Sequence, residues 1–284
     1  LALLAACAAP PPPVPAKPVV VPPPKPPIKV ALVLGGGAAR GFAHIGVIKS
    51  LEAQGIVPDI VVGTSAGSVV GALYAAGMSG FDLQKLALGM EEEMVADWTL
   101  PNRGVLKGEA LQGFINQQVK QLPIQRLQKP FGVVATDLLS GERVLFRRGD
   151  TGIAVRASSA VPGVFQPVEI NGREYVDGGL TSPVPAQTAR AMGADFVIAV
   201  DISSVGRREK LAGTLDVLLQ TFAIMGHTIS GHELEDADVV IRPRTAAVSS
   251  TSFEDRHLAI LEGEKAAAAV MADLKARLAK ARAR

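Results

Sequence analysis

Three short stretches carry side chains and backbone groups whose spacing suits nucleophilic chemistry. Gly63-Thr64-Ser65-Ala66-Gly67 is a G-x-S-x-G pattern between an apolar run and a segment of small residues. In a strand–turn–helix setting, glycines on both sides allow the serine to occupy a tight, strained turn that lifts its hydroxyl out of a sheet. The following helix then offers its N-terminus to developing negative charge. Gly35-Gly36-Gly37-Ala38-Ala39-Arg40-Gly41 follows another apolar run. Small residues at such a junction expose backbone N–H groups able to hold an oxyanion. Phosphate binding is the rival reading, and the spacing fails it. A dinucleotide G-x-G-x-x-G begun at Gly35 would need glycine where Arg40 stands, and a P-loop would need Gly-Lys-Ser/Thr where Gly41-Phe42 stands. Asp177-Gly178-Gly179 places a carboxylate on a glycine loop. Alone it reads as a β-turn; beside the other two motifs it is the base they require.

The elements around these motifs must position them. Ile28 to Leu34 and Ile60 to Val62 are short apolar runs that read as buried parallel strands, as do Phe196 to Val200 and Val239 to Ile241. Phe131 to Thr136 and Arg143 to Phe146 alternate like a hairpin around Ser140-Gly141, and Glu174 to Val176 is a further short strand. Helices are expected over Phe42 to Gln54, with Phe42, Ile45, Ile48 and Leu51 inward, and over Ser68 to Ala76, with helices and loops through 80–122. Leu215, Leu218, Phe222, Met225 and Ile229 mark a long amphipathic helix, and Leu258, Leu261, Met271, Leu274 and Leu278 the last one. Strands alternating with helices predict an α/β fold, a three-layer α/β/α domain with a mainly parallel central sheet.

Composition bounds the function class. A hydrophobic content of 48% with 20% charged residues supports a sizeable core. A net charge of +2 and 4% aromatics leave no basic, aromatic-laced footprint for nucleic acid. The basic run Lys275, Arg277, Lys280, Arg282 and Arg284 reads as a solvated helix end favoured by the helix dipole. No cofactor is called for, and no metal-ligand cluster is visible.

The N-terminus tells a different story. Residues 1–9 are small and apolar, far short of the roughly 20 residues that span a bilayer. Leu4-Ala5-Ala6-Cys7 resembles the end of a bacterial lipoprotein signal, in which Cys7 is lipidated and becomes the mature N-terminus. Cys7 is the only cysteine, so no intrachain disulfide can form. Residues 10–27 are proline-rich and, as polyproline II at about 3.1 Å per residue, would hold a domain roughly 50 Å from its anchor. The expected layout is a lipidated remnant (1–9), a tether (10–27) and a catalytic domain (28–284, best supported over 29–205). With Ala8 rather than an acidic residue following Cys7, the expected location is the bacterial envelope, at the periplasmic face of the outer membrane.

The three motifs together resemble the patatin-like phospholipase family. The likeness runs over most of residues 29–202: Leu34 to Gly46, Ile60 to Gly77, Ala135-Thr136-Asp137-Leu138, Val155 to Val168 and Val176 to Pro185. It implies that Ser65 is the nucleophile and Asp177 its partner in a dyad, with Gly36, Gly37, Ala38 and Arg40 in the oxyanion segment. It implies hydrolysis of membrane-lipid or other acyl esters, with no metal or nucleotide. Ala38 stands where glycine is frequent, which would narrow the oxyanion loop. Ser182 stands where asparagine is expected before Pro183, which would alter how the Asp177 loop is held. A non-catalytic lipoprotein that binds lipid or organises the envelope is the alternative. A Ser-Asp-His triad would need His227, His232 or His257, all of which read as helical surface residues. His44 reads as a helix-start packing or hydrogen-bonding residue, with a substrate contact as the lesser option.

Overall fold

The structure is a computed structural model and describes residues 27–95, 97, 103–203, 213–248 and 252–283. Cys7 and all but the last residue of the tether lie outside the described residues. Among those described, the strands β1 (Val30–Leu34), β2 (Ile60–Thr64), β3 (Phe131–Asp137), β4 (Arg143–Phe146), β5 (Val168–Ile170), β6 (Arg173–Asp177), β7 (Phe196–Val200) and β8 (Val239–Ile241) form one sheet. β3, β2, β1, β7 and β8 run parallel in that order, and β4, β5 and β6 add antiparallel pairings at the β3 end. The sheet is therefore mainly parallel, as its apolar runs predict.

Both faces of the parallel strands are buried, which is why their sequences are continuously apolar rather than alternating. Val30, Leu32 and Leu34 of β1 join one core with Ile198 and Val200 of β7. Ala31 and Val33 join a second core with Val62, Val197 and Ala199 on the opposite face. Helices α1 (Phe42–Ala53), α2 (Ala66–Ala75), α3 (Gly80–Leu88), α4 (Glu109–Gln118), α5 (Thr151–Ser158) and α8 (Arg256–Arg282) supply residues to, or pack around, the first core. The second core is closed by α6 (Ala186–Ala191) and Leu234, just past α7 (Thr214–Glu233). The layers are α/β/α.

Two helices differ from their predicted faces. In α8 the buried stripe is Ala259, Ile260, Gly263, Ala267, Leu274 and Leu278, while Leu258 and Leu261 face solvent. The cause is a close crossing with α1. A Cβ on Gly46 would lie 1.9 Å from the Ile260 carbonyl oxygen, and one on Gly263 would lie 2.0 Å from that of Ala43. Small residues let the two backbones touch, so α1 is buried on more than its apolar stripe. In α7, Leu215, Leu218 and Met225 are exposed, and Ser230 is the buried residue. The helices between 80 and 122 are α3 and α4; α5 and β5 have no counterpart in the sequence reading.

Candidate active site

Ser65 lies at the junction of β2 and α2 with φ 52° and ψ −125°, a conformation non-glycine residues rarely adopt. The flanking glycines are required sterically. A Cβ on Gly63 would sit 2.4 Å from the Gly67 carbonyl oxygen, and one on Gly67 would sit 2.0 Å from that of Leu34. The elbow is also fixed by hydrogen bonds. Ser65 N–H donates to Ser158 Oγ (2.8 Å), whose own hydroxyl donates to the Val134 carbonyl (2.5 Å). The Ser68 hydroxyl donates to the Ser65 carbonyl (2.7 Å).

The register of β3 brings Asp177 to this serine. Val134 pairs with Leu145 of β4 and with Thr64 of β2, while Ala135 pairs with Val144 of β4 and with Asp177 of β6. Since β4 occupies one edge of β3, β2 and β6 must share the other edge in succession. Where β2 ends at Thr64 and the chain turns out at Ser65, β6 arrives from the opposite direction and ends at Asp177 on the next rung. The carboxylate loop is held by Asp177 N–H donating to the Ala160 carbonyl (3.0 Å) and by the Thr136 hydroxyl donating to the Asp177 carbonyl (3.0 Å). Because the Thr136 proton is so engaged, the Thr181 hydroxyl is the donor in its 2.9 Å contact with Thr136.

Both side chains are buried. Asp177 Oδ1 accepts from Gly179 N–H (2.7 Å), whereas Oδ2 closes no hydrogen bond of good geometry. Burial pushes the Asp177 carboxyl up to about 6; the neighbouring Ser65 hydroxyl and the Gly179 N–H pull it back part of the way.

The glycine segment behaves differently at each residue. Gly36 N–H donates to the Pro183 carbonyl (3.0 Å), and Arg40 N–H donates to the Gly37 carbonyl (3.2 Å). Both N–H groups are therefore engaged within the protein. The N–H groups of Gly37 and Ala38 meet no acceptor among the described residues. Gly36 instead backs the serine, since a Cβ there would lie 3.3 Å from Ser65 Cβ. Ala38 has φ 52°, a conformation that glycine would adopt without strain.

The histidines fall outside the site. His227, His232 and His257 are exposed, and none bonds to Ser65 or Asp177. His44 is fully buried, with Nε2 2.8 Å from the Gly35 carbonyl oxygen. A carbonyl only accepts, so Nε2 carries the proton. Burial lowers the ring to about 4 and keeps it neutral. It anchors the start of the glycine segment, the hydrogen-bonding role expected.

Among the described residues no group of three or more His, Cys, Asp or Glu side chains is placed to hold a metal ion. Sequence reasoning assigned no role to Ser158, Thr136 or Glu233. The V-R-A-S-S segment marked the first only as part of a resemblance, and a lone Glu at a helix end carries no pattern at all.

Comparison with known proteins identifies the family. The family model "Patatin-like phospholipase" matches residues 32–190. NTE family proteins of Mycobacterium tuberculosis are 38% identical over 178 residues (62% of this chain, 49% of theirs) and 30% identical over 277 residues (85% of this chain, 46% of theirs). Patatin-like phospholipase domain-containing protein 6 of the mouse is 38% identical over 62% of this chain and 14% of its own length. The chain thus spans about half the length of the mycobacterial relatives. VipD of Legionella pneumophila shares the fold, with a TM-score of 0.61 at 16% identity over 87% of this chain and 67% of its own. The chain belongs to the patatin-like phospholipase family.

Proposed function

We propose that this protein is a serine acyl hydrolase that cleaves carboxylic esters of lipids, with Ser65 as nucleophile and Asp177 as general base. The observation that carries the reading is the pairing of Thr64 and Asp177 on successive rungs of β3, which sets a strained serine against a buried carboxylate. Family membership supports lipid ester hydrolysis as the class.

In this mechanism Ser65 Oγ attacks the ester carbonyl carbon as its proton passes to Asp177. The tetrahedral oxyanion is held by the N–H groups of Gly37 and Ala38, with the N-terminus of α2 adding a favourable field. Collapse breaks the ester C–O bond, and Asp177 returns the proton to the leaving alkoxide. Water, deprotonated by the same carboxylate, then attacks the acyl-serine; collapse breaks the acyl C–Oγ bond, Asp177 returns the proton to Ser65 Oγ, and the acid is released. A carboxylate raised to about 6 is better matched to neutral pH than one at its ordinary value, yet is a weaker base than imidazole. Ester leaving groups need less help than amines, so esters fit better than peptides. A fluorophosphonate probe should label one site, and Ser65→Ala should abolish labelling and ester hydrolysis without lowering the melting temperature. Labelling retained at another serine would overturn the assignment.

A further inference from the structure

A cavity of about 610 Å³ opens at the end of β3 away from the dyad. Phe146, the last residue of β4, pairs with Val133. Phe131 and Gly132 therefore keep β2 on one edge and have no strand on the other among the described residues. The cavity fills that gap, and its apolar walls are Ile124, Leu127, Phe131, Leu145, Phe146 and Met192. Gly132 shapes it. A Cβ there would lie 2.7 Å from Met192 Sδ and 2.9 Å from Leu145 Cδ1, so the missing side chain lets both fold over the strand. Neither Ser65 nor Asp177 lines this space. Thr64 and Asp177 meet β3 at Val134 and Ala135, roughly 10 Å along the strand from Phe131.

The charges on the cavity are of one sign. Lys129, Arg147 and Arg148 line it, and no carboxylate does. Lys129 Nζ donates to the Pro58 carbonyl (3.0 Å) and lies over the Tyr74 ring. Neither arginine side chain meets an acceptor among the described residues. Asp150, the acid nearest to them in sequence, is turned away to Asn116 Nδ2 (2.9 Å) and the Ile153 N–H (2.7 Å). Two unpaired guanidinium forks beside an apolar hollow suit an oxyanion that carries a hydrocarbon body.

We propose that this cavity is a second binding site, separate from the catalytic one, for a small amphiphile whose apolar body ends in a carboxylate or a phosphate. The head group lies between Arg147 and Arg148, and the body lies against Leu127, Phe131 and Phe146. Size favours a small molecule. The volume sits within the range of ligand sites, roughly 300–1,000 Å³. At about 30 Å³ per water-sized group it has room for roughly 20, enough for a ten-carbon chain and its head group. Only two residues of β3 are free on that edge, too few to seat an added peptide strand. The inference does not rest on the hydrolase reading.

The test uses the full chain and decyl phosphate below its critical micelle concentration, with decanoate, decanol and inorganic phosphate alongside. In calorimetry, decyl phosphate should bind at least about 10-fold more tightly than decanol or inorganic phosphate, and more weakly as salt rises. Decanoate should also bind, and the tighter of the two anions names the head group. In protein labelled with 13C at its methionine methyls, the Met192 signal, assigned with Met192→Leu, should shift on saturation. Arg147→Ala with Arg148→Ala should weaken decyl phosphate binding at least about 10-fold without lowering the melting temperature. Should that variant melt early, the Met192 shift in the parent decides alone. An unmoved Met192 methyl overturns the proposal, as does decanol binding as tightly as decyl phosphate, or parental affinity in the folded double variant. So does a glutamate-rich peptide that binds there more tightly than either anion, which would make the face a protein-docking surface.

Discussion

Ser182 and Glu233 are joined by a hydrogen bond across 51 residues of sequence, the serine hydroxyl donating to Oε1 while Val184 N–H donates to Oε2 (2.9 Å). The loop so held matters because its carbonyls act on the site. Ser182 O accepts from the Thr64 hydroxyl (2.8 Å), one residue before the elbow, and Pro183 O accepts from Gly36 N–H. Ser182 therefore does with a hydroxyl what an asparagine amide would do, donate to a carboxylate. Burial pushes Glu233 up to about 6, opposed by the Ser182 hydroxyl, the Val184 N–H and Arg143. Glu233→Gln can accept at only one of its two side-chain positions. We expect about a 10-fold fall in kcat with KM for a soluble ester nearly unchanged, and a stability loss of roughly 1–3 kcal/mol. Ser182→Asn should retain the parental rate. Steady-state kinetics with thermal melts check both; an unaffected kcat in Glu233→Gln would detach this pair from catalysis.

Asp177 should impose the ascending limb of the pH profile. With the carboxyl at about 6, kcat/KM should rise through pH 6 as the base ionises. Asp177→Asn should lower the rate by at least about 10²-fold and flatten that limb. The sign for stability is opposite. Since the folded value is raised above the ordinary 3.8, the neutral form suits the fold, and that advantage is lost as pH rises through 6. Asparagine stays neutral, so the variant should melt a few degrees above the parent at pH 8 and level with it near pH 4. Equal melting at both pH values would mean that the carboxylate is not strained by burial.

Ser158 and Ser159 offer a matched pair. Ser158→Ala removes the acceptor of the Ser65 N–H and the donor to Val134, leaving both buried groups unpaired. It should cost about 1–3 kcal/mol in urea unfolding and lower kcat. Ser159 Oγ is buried with no partner among the described residues, so Ser159→Ala should be near neutral or stabilising. Equal losses for the two would show that packing, not hydrogen bonding, sets the elbow.

The anchor proposal is tested separately. Cells expressing the full precursor should incorporate radiolabelled palmitate into this protein and retain it in the outer-membrane fraction. Cys7→Ser should abolish label and release protein into the soluble fraction, because the residue that accepts the acyl anchor is gone. An unlabelled wild-type protein in the cytosol would refute the anchor.

The parts legible from sequence share one property: their signal is local. Continuous apolar runs gave β1, β2 and β7, and Gly63 and Gly67 marked the elbow because close backbone approach leaves little choice of residue. Oxyanion donors were not legible at single-residue resolution. Whether Gly36 or Gly37 is free depends on Pro183, far along the chain. The faces of α7 and α8 were misjudged for a related reason. An apolar period shows what could be buried, whereas Gly46 and Gly263 decided what was. Position Glu233 is set by α7 docking near the Asp177 loop, which no pattern in its own neighbourhood encodes.

The crossing of α1 and α8 gives the end of the chain a say in the chemistry near its beginning. α1 is the helix that continues directly from the Gly35–Gly41 segment, and its flank at Ala43 to Gly46 is clasped backbone to backbone by residues 260–264. The matched family region stops at residue 190, well before that clasp. A fragment trimmed to the recognisable motifs would keep Ser65, Asp177 and the glycine segment and still lose the brace behind that segment.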